Sequence, residues 1–447
     1  MKPTLFLIAL FSTSPYIFAA PSSKAGVAKV EITPSGPIWM AGYAARTKPS
    51  EGATPIWAKA LALQDSKGTT AVIVTTDLIG LPRTITDVVS AQVIEKYKLE
   101  RSQIVFNSSH THTGPVVRNN LSVMGAQEPA QKRVVEEYAN TLRDKLVTVI
   151  AAALGDIQPA TLAFDYGETG FATNRRVVTD KGVLLGVNPN GPVDHKVPVL
   201  RVLAPNGQVR AVLFGYACHN TTLTAEFYEI TGDYAGYAQS SVEKTFPGAI
   251  ALFVQLCAGD QNPNPRSKLE FAERHGGALG SEVARVVKSP MKAVAGRIKS
   301  AYQMVELPFA PHSSEQFTNE LNDKNVFKSR RAAMMLALYK EGRAPRTLQY
   351  PVQIIRFDQG FTLVALGGEV VIDYSLWVQR TFPGERLMVA GYSNDVACYI
   401  PSARVLREGG YEAVDSMIYY GHPGPFTEEV EPRIQEAVTK AMTRVKK

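Results

Sequence analysis

The 447-residue chain predicts an α/β fold, a single large domain of mixed β-sheets flanked by helices, with its candidate site at strand ends. Three observations predict it. Apolar runs of strand length alternate with stretches of helical period through the first third of the chain, the rhythm of an α/β domain. Buried strands run directly into polar motifs, at His110-Thr111-His112, Cys218-His219-Asn220 and Cys257-Ala258-Gly259-Asp260, and functional residues of α/β proteins gather beyond strand ends in this way. Composition, 45% hydrophobic and 20% charged, suits a large core, and no Pro-rich, Ser-rich or repetitive segment marks a linker.

In chain order, residues 1–20 carry Lys2, an apolar run over 5–11 and small residues before Pro21, the form of a secretory signal whose apolar run is too short to span a bilayer. The mature chain, 21–447, is therefore expected to be exported, periplasmic or secreted from a bacterium, and without a transmembrane segment. Residues 26–34 read as a strand ended by Pro34, 71–78 as a strand, and 87–97 as a helix with Val88, Val89, Val93 and Ile94 at helical spacing. The apolar run from Ile104 ends in the His-x-His pair and is stopped by Gly114-Pro115, which continue neither a central strand nor a helix. Side chains in a strand alternate, so His110 and His112 share a face and can serve one site. The plainer alternative is a polar pair in a loop.

A helical pattern over 134–154 follows, with Tyr138, Leu142, Leu146 and Ile150 on one stripe. Residues 197–217 read as a hairpin around Pro205-Asn206-Gly207 whose second strand delivers His219. Residues 251–256 are a buried strand, 270–287 a helix and 298–307 a strand. The stretch 313–339 is helical and partly basic, and its Met334-Met335 face is assigned to the core rather than to a lipid or cofactor. Strands over 352–357 and 361–366 meet at Asp358-Gln359-Gly360, and the second leads through Gly367-Gly368 to Glu369 and a helix to about residue 380. A strand over 387–391 and an amphipathic helix over 428–447 close the chain.

The formal net charge of +7 is a mild excess that favours anionic surfaces or substrates without proving either, and no nucleic-acid partner is expected. Three cysteines, Cys218, Cys257 and Cys398, form no disulfide scaffold and are assigned to packing. Asn107-Ser108-Ser109 and Asn220-Thr221-Thr222 have the form of glycosylation sequons, but a glycan at either would obstruct the suspected site, which favours a bacterial protein.

His110-x-His112-Thr113-Gly114-Pro115, His219 after a strand, Gly259-Asp260 with Pro263-Asn264, and Gly368-Glu369 near a helix start together resemble the catalytic domain of neutral/alkaline ceramidases. These are zinc-dependent enzymes that hydrolyse the N-acyl bond of ceramide. Residues 26–34, Met40-Ala41-Gly42-Tyr43, and Thr231-Gly232-Asp233 with Gly236-Tyr237-Ala238 are similar to further pieces of the family, so the likeness runs from about Gly26 to about Tyr420. The resemblance implies one Zn²⁺ per chain, held by His110, His219, Glu369 and Tyr399, and no other cofactor. It implies Tyr411 as an oxyanion donor, Arg175 as the active-site arginine and His112 as a proton-handling or substrate-facing residue. Read without it, Glu369 could cap a helix, Tyr399 and Tyr411 could be core aromatics, and Arg175 could belong to a solvated face.

Two departures bear on function. Where the family has Gly-Asp-x-Ser-Pro-Asn with a catalytic serine, this chain has Asn262, which has no hydroxyl. Zinc-bound water could attack with Asn262 orienting water or substrate, the substrate class could have changed, or activity could be lost. The family's C-terminal β-sandwich domain is expected to be absent, and ceramide is less firmly implied than amide hydrolysis. The expectation is a zinc-dependent hydrolase of a linear N-acyl bond in ceramide or a related lipid, with possible peripheral membrane contact. The alternative is a family member that binds lipid and has altered or lost catalysis.

Overall fold

The computed structural model describes residues 23–118, 120–125 and 128–447, so the secretory signal read over residues 1–20 lies outside the described residues. Strand Thr70–Thr76 is buried along its whole length, paired antiparallel with Trp57–Gln64 and parallel with Ile104–Ser108. Its alternate side chains pack in opposite directions. Val72 and Val74 meet residues of helices Arg83–Tyr97 and Pro129–Gly155, while Ala71 and Ile73 face a second layer of strands. That layer contains Val209–Tyr216, Ile250–Gln255, Thr347–Gln359, Thr362–Leu366 and Leu387–Ala390. Its Leu213, Leu252, Ile355, Leu363 and Met388 share one apolar interior with Leu61, Ile73 and Val105.

Helices Asp233–Thr245 and Leu269–Lys288 cover part of the outer face of this second layer, and Val430–Lys446 covers another. The stack is helices, sheet, sheet, helices, with strand Gln158–Glu168 linking the layers by pairing with Ser23–Glu31, Lys196–Leu203 and Lys292–Pro308. Both faces of the central strands are dry, which is why they read as continuous apolar runs rather than alternating ones.

Parallel pairing aligns the carboxyl ends of six of these strands in three pairs, 70–76 with 104–108, 209–216 with 250–255 and 362–366 with 387–390. Asn107 fastens three of them: its Nδ2 donates to the carbonyls of Gln255 (3.2 Å) and Gly391 (2.8 Å), and its Oδ1 accepts from the Gln255 N–H at 2.8 Å. Asn220 likewise donates to the Ser109 carbonyl at 3.0 Å and accepts from Ala235 N–H at 3.2 Å. Both sequon asparagines are buried and committed, so neither can carry a glycan in the folded protein. The three cysteines are buried and unpaired.

The long helical pattern over 313–339 is two helices, Ser314–Glu320 and Val326–Lys340, because the Asn325 side chain caps the second by accepting from Phe327 and Lys328 N–H. Met335 is buried, as expected of a core face, while Met334 is 38% exposed. Strand Trp57–Gln64, helix Asp233–Thr245 and the hairpin Ala172–Thr179/Gly182–Asn188 were not anticipated. That hairpin leaves Val178, Leu184, Leu185 and Val187 more than half exposed.

Candidate active site

His110 leaves its strand in the left-handed region, φ +62°, a conformation uncommon for a residue with a Cβ and frequent at functional sites. Its N–H donates to the Leu78 carbonyl at 2.8 Å, and its Nδ1 lies 2.6 Å from the Ile79 carbonyl. A carbonyl only accepts, so Nδ1 carries the proton and Nε2 presents a bare lone pair. His219 is set the same way, with Nδ1 2.7 Å from the Ala258 carbonyl. The two Nε2 atoms converge on Glu369 Oε2 at 3.0 and 3.1 Å, and all three residues are buried. Lone pairs facing one another in a dry site repel unless a cation or a proton lies among them.

Tyr399 adds its hydroxyl 3.2 Å from His219 Nε2. Its place beside Glu369 is dictated by backbone register, because Glu369–Val370 and Tyr399–Ile400 pair in parallel with these two residues as partners. Gly368 makes that pairing possible. It sits at φ +69°, and a Cβ there would lie 2.6 Å from the Cys398 carbonyl. Imidazole nitrogens, a carboxylate and a phenolic oxygen are a donor set that fits a metal ion, and His110, His219, Glu369 and Tyr399 bring these donors together.

His112 Nε2 lies 3.0 Å from His110 Nε2, so the ligand-type atoms of His110, His112 and His219 all fall within 4.8 Å. Unlike the other two, His112 also lines a cavity, and its Nδ1 is buried without a partner. Gly42, at φ +92°, passes so close that a Cβ would meet that Nδ1 at 2.4 Å, which places the Tyr43 ring 4.9 Å from the imidazole. Burial drives His112 well below the ordinary histidine pKa and His219 down to about 3, so both are neutral at pH 7.

Arg175 is no solvated-face residue. Its Nε donates to Glu412 Oε1 at 2.7 Å, one terminal nitrogen to the Tyr399 hydroxyl at 3.0 Å and the other to Asn262 Oδ1 at 3.3 Å. Its guanidinium also lies over the rings of Tyr399 and Tyr411 at 5.5 and 5.6 Å. Tyr411 begins a wide helical turn in which Ser416 N–H reaches back five residues to the Tyr411 carbonyl at 3.0 Å. Burial pushes the Tyr411 phenol up, so it keeps its proton and can donate. Asn262 stands in strand Gln261–Pro263, opposite Thr173, and its Oδ1 is 3.3 Å from the Thr221 hydroxyl.

His112, Arg175, Asn262, Tyr399 and Tyr411 line a cavity of about 400 Å³, with Met124, Leu185, Val187 and Tyr419 supplying apolar wall. The eight residues singled out from the sequence thus form one connected site. Four more were missed. Glu412 pairs with Arg175 and Arg176, Tyr420 donates to Glu369 Oε1, the Tyr392 ring lies tilted 4.4 Å from the His110 ring, and Arg46 donates to the His112 carbonyl at 2.7 Å. Glu412 adjoins Tyr411 in sequence, which could have flagged it; the other three carry no local signal.

Residues 24–275 match the family model described as neutral/alkaline non-lysosomal ceramidase, N-terminal. The neutral ceramidase of Pseudomonas aeruginosa is 27% identical over 253 residues, 54% of this chain and 37% of that protein. Neutral ceramidase B of Dictyostelium discoideum is 25% identical over 233 residues, 47% of this chain and 31% of that one. The matched segments thus span about a third of these relatives. The crystal structure of neutral ceramidase from Pseudomonas aeruginosa superposes with a TM-score of 0.73 at 19% identity, covering 95% of this chain and 74% of that one. Glu369, Tyr399 and Tyr411 lie beyond the matched family segment, in the region where the likeness is one of fold.

Proposed function

Because this chain belongs to the neutral/alkaline non-lysosomal ceramidase family, we propose that it is an exported, zinc-dependent hydrolase of the linear amide bond of ceramide or a related N-acyl lipid. The observation that carries this reading is the meeting of two tautomer-fixed imidazoles and a carboxylate beneath an apolar-walled cavity. When bound, zinc supplies Lewis acidity, polarising an amide carbonyl and making water more acidic.

The chain's own residues supply the rest. His112, neutral at pH 7 and facing the cavity, takes the proton of the attacking water and passes it to the departing nitrogen. Hydroxide adds to the carbonyl carbon, the C–N bond breaks, and a fatty acid and a free amine leave. Tyr411 and Arg175 present donors to the oxygen that gains charge. Asn262 cannot form an acyl intermediate; its amide orients water or substrate beside Arg175 and Thr221. The exposed aliphatic residues of hairpin 172–188, two of which enter the cavity wall, support an amphiphilic substrate and contact with a membrane surface. The composition of residues 1–20 supports export from a bacterium.

Metal analysis with kinetics on N-acyl sphingosines tests the proposal. We expect one zinc per chain, and His219→Ala to lose the metal and lower kcat/KM by more than about 100-fold. Absence of stoichiometric zinc, or unchanged turnover in His219→Ala, would overturn it. Asn262 favours one second reading, a lipid-binding protein with altered catalysis. Lipid-induced thermal stabilisation without turnover, restored to turnover in Asn262→Ser, would support that account.

A further inference from the structure

Arg266 lies in the wall of the same cavity. One terminal nitrogen donates to the Tyr43 hydroxyl at 3.1 Å, and its Nε is buried without a partner. In its alternative amide orientation Asn262 accepts from the other terminal nitrogen at 3.2 Å. All these partners are neutral. The carboxylates whose fields reach Arg266 are Glu226, which is exposed, and Asp233, whose oxygens are taken by the backbone N–H groups of Leu223 and Tyr234. Arg175, in contrast, is paired with Glu412. Among the described residues lining the cavity, Arg266 is the arginine that has no carboxylate partner.

A partly buried guanidinium beside apolar wall is costly to desolvate unless something anionic completes it, and its planar fork suits a carboxylate. Its position is also informative. Tyr43 bridges Arg266 to the His112 ring, so the guanidinium stands one side chain away from a group that handles the amide. In an N-acyl amino acid one carbon separates the amide nitrogen from the carboxylate. His112 and Arg266 line the same cavity, so the amide and the carboxylate of one molecule face both. The cavity, about 400 Å³, is at the small end of ligand pockets and suits a single acyl chain better than a two-chain lipid.

We propose that Arg266 is a specificity-determining residue and that the site takes a single-chain N-acyl amino acid, an amide whose amine portion carries a carboxylate. The proposal rests on the amide-hydrolase reading: water adds across the C–N bond, the acyl carbon leaves as a fatty acid, and the amino acid nitrogen takes the proton.

N-dodecanoylglycine and N-dodecanoylethanolamine, nearly matched in size but differing in charge, test it on the zinc-loaded enzyme. Wild type should favour the glycine conjugate in kcat/KM. Arg266→Gln should lower that preference roughly 10- to 100-fold, the worth of a charge-assisted hydrogen bond, mostly through KM, and Arg266→Lys should recover part of it. A wild-type preference for the neutral amide, or an unchanged preference in Arg266→Gln, would overturn the proposal. If neither amide is hydrolysed, the catalytic reading fails, and calorimetric binding of the same two compounds decides this one. Selective binding of the glycine conjugate that Arg266→Gln abolishes supports it; equal binding or none rejects it.

Discussion

Arg175 and Glu412 set the geometry of the cavity wall. The pair is buried, Glu412 also receives Arg176, and Arg175 in turn positions the Tyr399 hydroxyl and the Asn262 amide. Burial alone would raise Glu412, but the two guanidinium groups hold it below its ordinary value of 4.5. Its stabilisation is thus fully present above that value and is lost as pH falls through the lowered folded one. Glu412→Gln leaves the buried Arg175 without a carboxylate and Arg176 with Glu408 alone, and at pH 7 we expect it to cost about 3 kcal/mol. Urea unfolding at pH 7 and at pH 4 checks this: the difference between wild type and variant should shrink at the lower pH. At this scale the sequence was informative where chemistry is rare. Histidines are few, and those at strand ends stood out. Tyr420 and Tyr392 were illegible because a tyrosine in a half-apolar context reads the same whether its hydroxyl meets solvent or Glu369.

Elements decide how the ligand-bearing residues reach one another. The Glu369–Tyr399 pairing needs the chain to turn at Gly368 through a left-handed conformation with the Cys398 carbonyl close to where a Cβ would stand. Gly368→Ala should therefore destabilise by about 1–3 kcal/mol and lower zinc occupancy in the protein that still folds. Urea midpoints together with metal content read both effects, and unchanged values would mean the loop has room to relax. The main strands and helices were legible because a dry strand and an amphipathic helix leave different apolar periods. Trp57–Gln64 was missed although it is a central strand, since its alanines give a weak apolar signal. The hairpin 172–188 was missed because its buried stretch, 172–176, is mostly polar and its far half leaves exposed aliphatics that no period organises.

For the whole molecule, the four candidate ligands come from residues 110, 219, 369 and 399, so the site exists only when both sheet layers are assembled. A metal that binds this assembled form alone must stabilise it. Chelation should lower the melting temperature by about 3 °C for zinc held at roughly 100 times its dissociation constant, and zinc but not magnesium should restore it. By itself the sequence determined the fold class and the strand ends that carry chemistry, because apolar period and rare polar motifs are local properties of a chain, while the family resemblance nominated the remaining site residues. Only the tertiary structure decided that Arg175 is buried against Glu412, that the sequon asparagines are internal fasteners, and that Arg266 faces the cavity without a counter-charge. Each of those depends on partners that the chain supplies from distant positions, and burial and charge balance exist only once those positions meet.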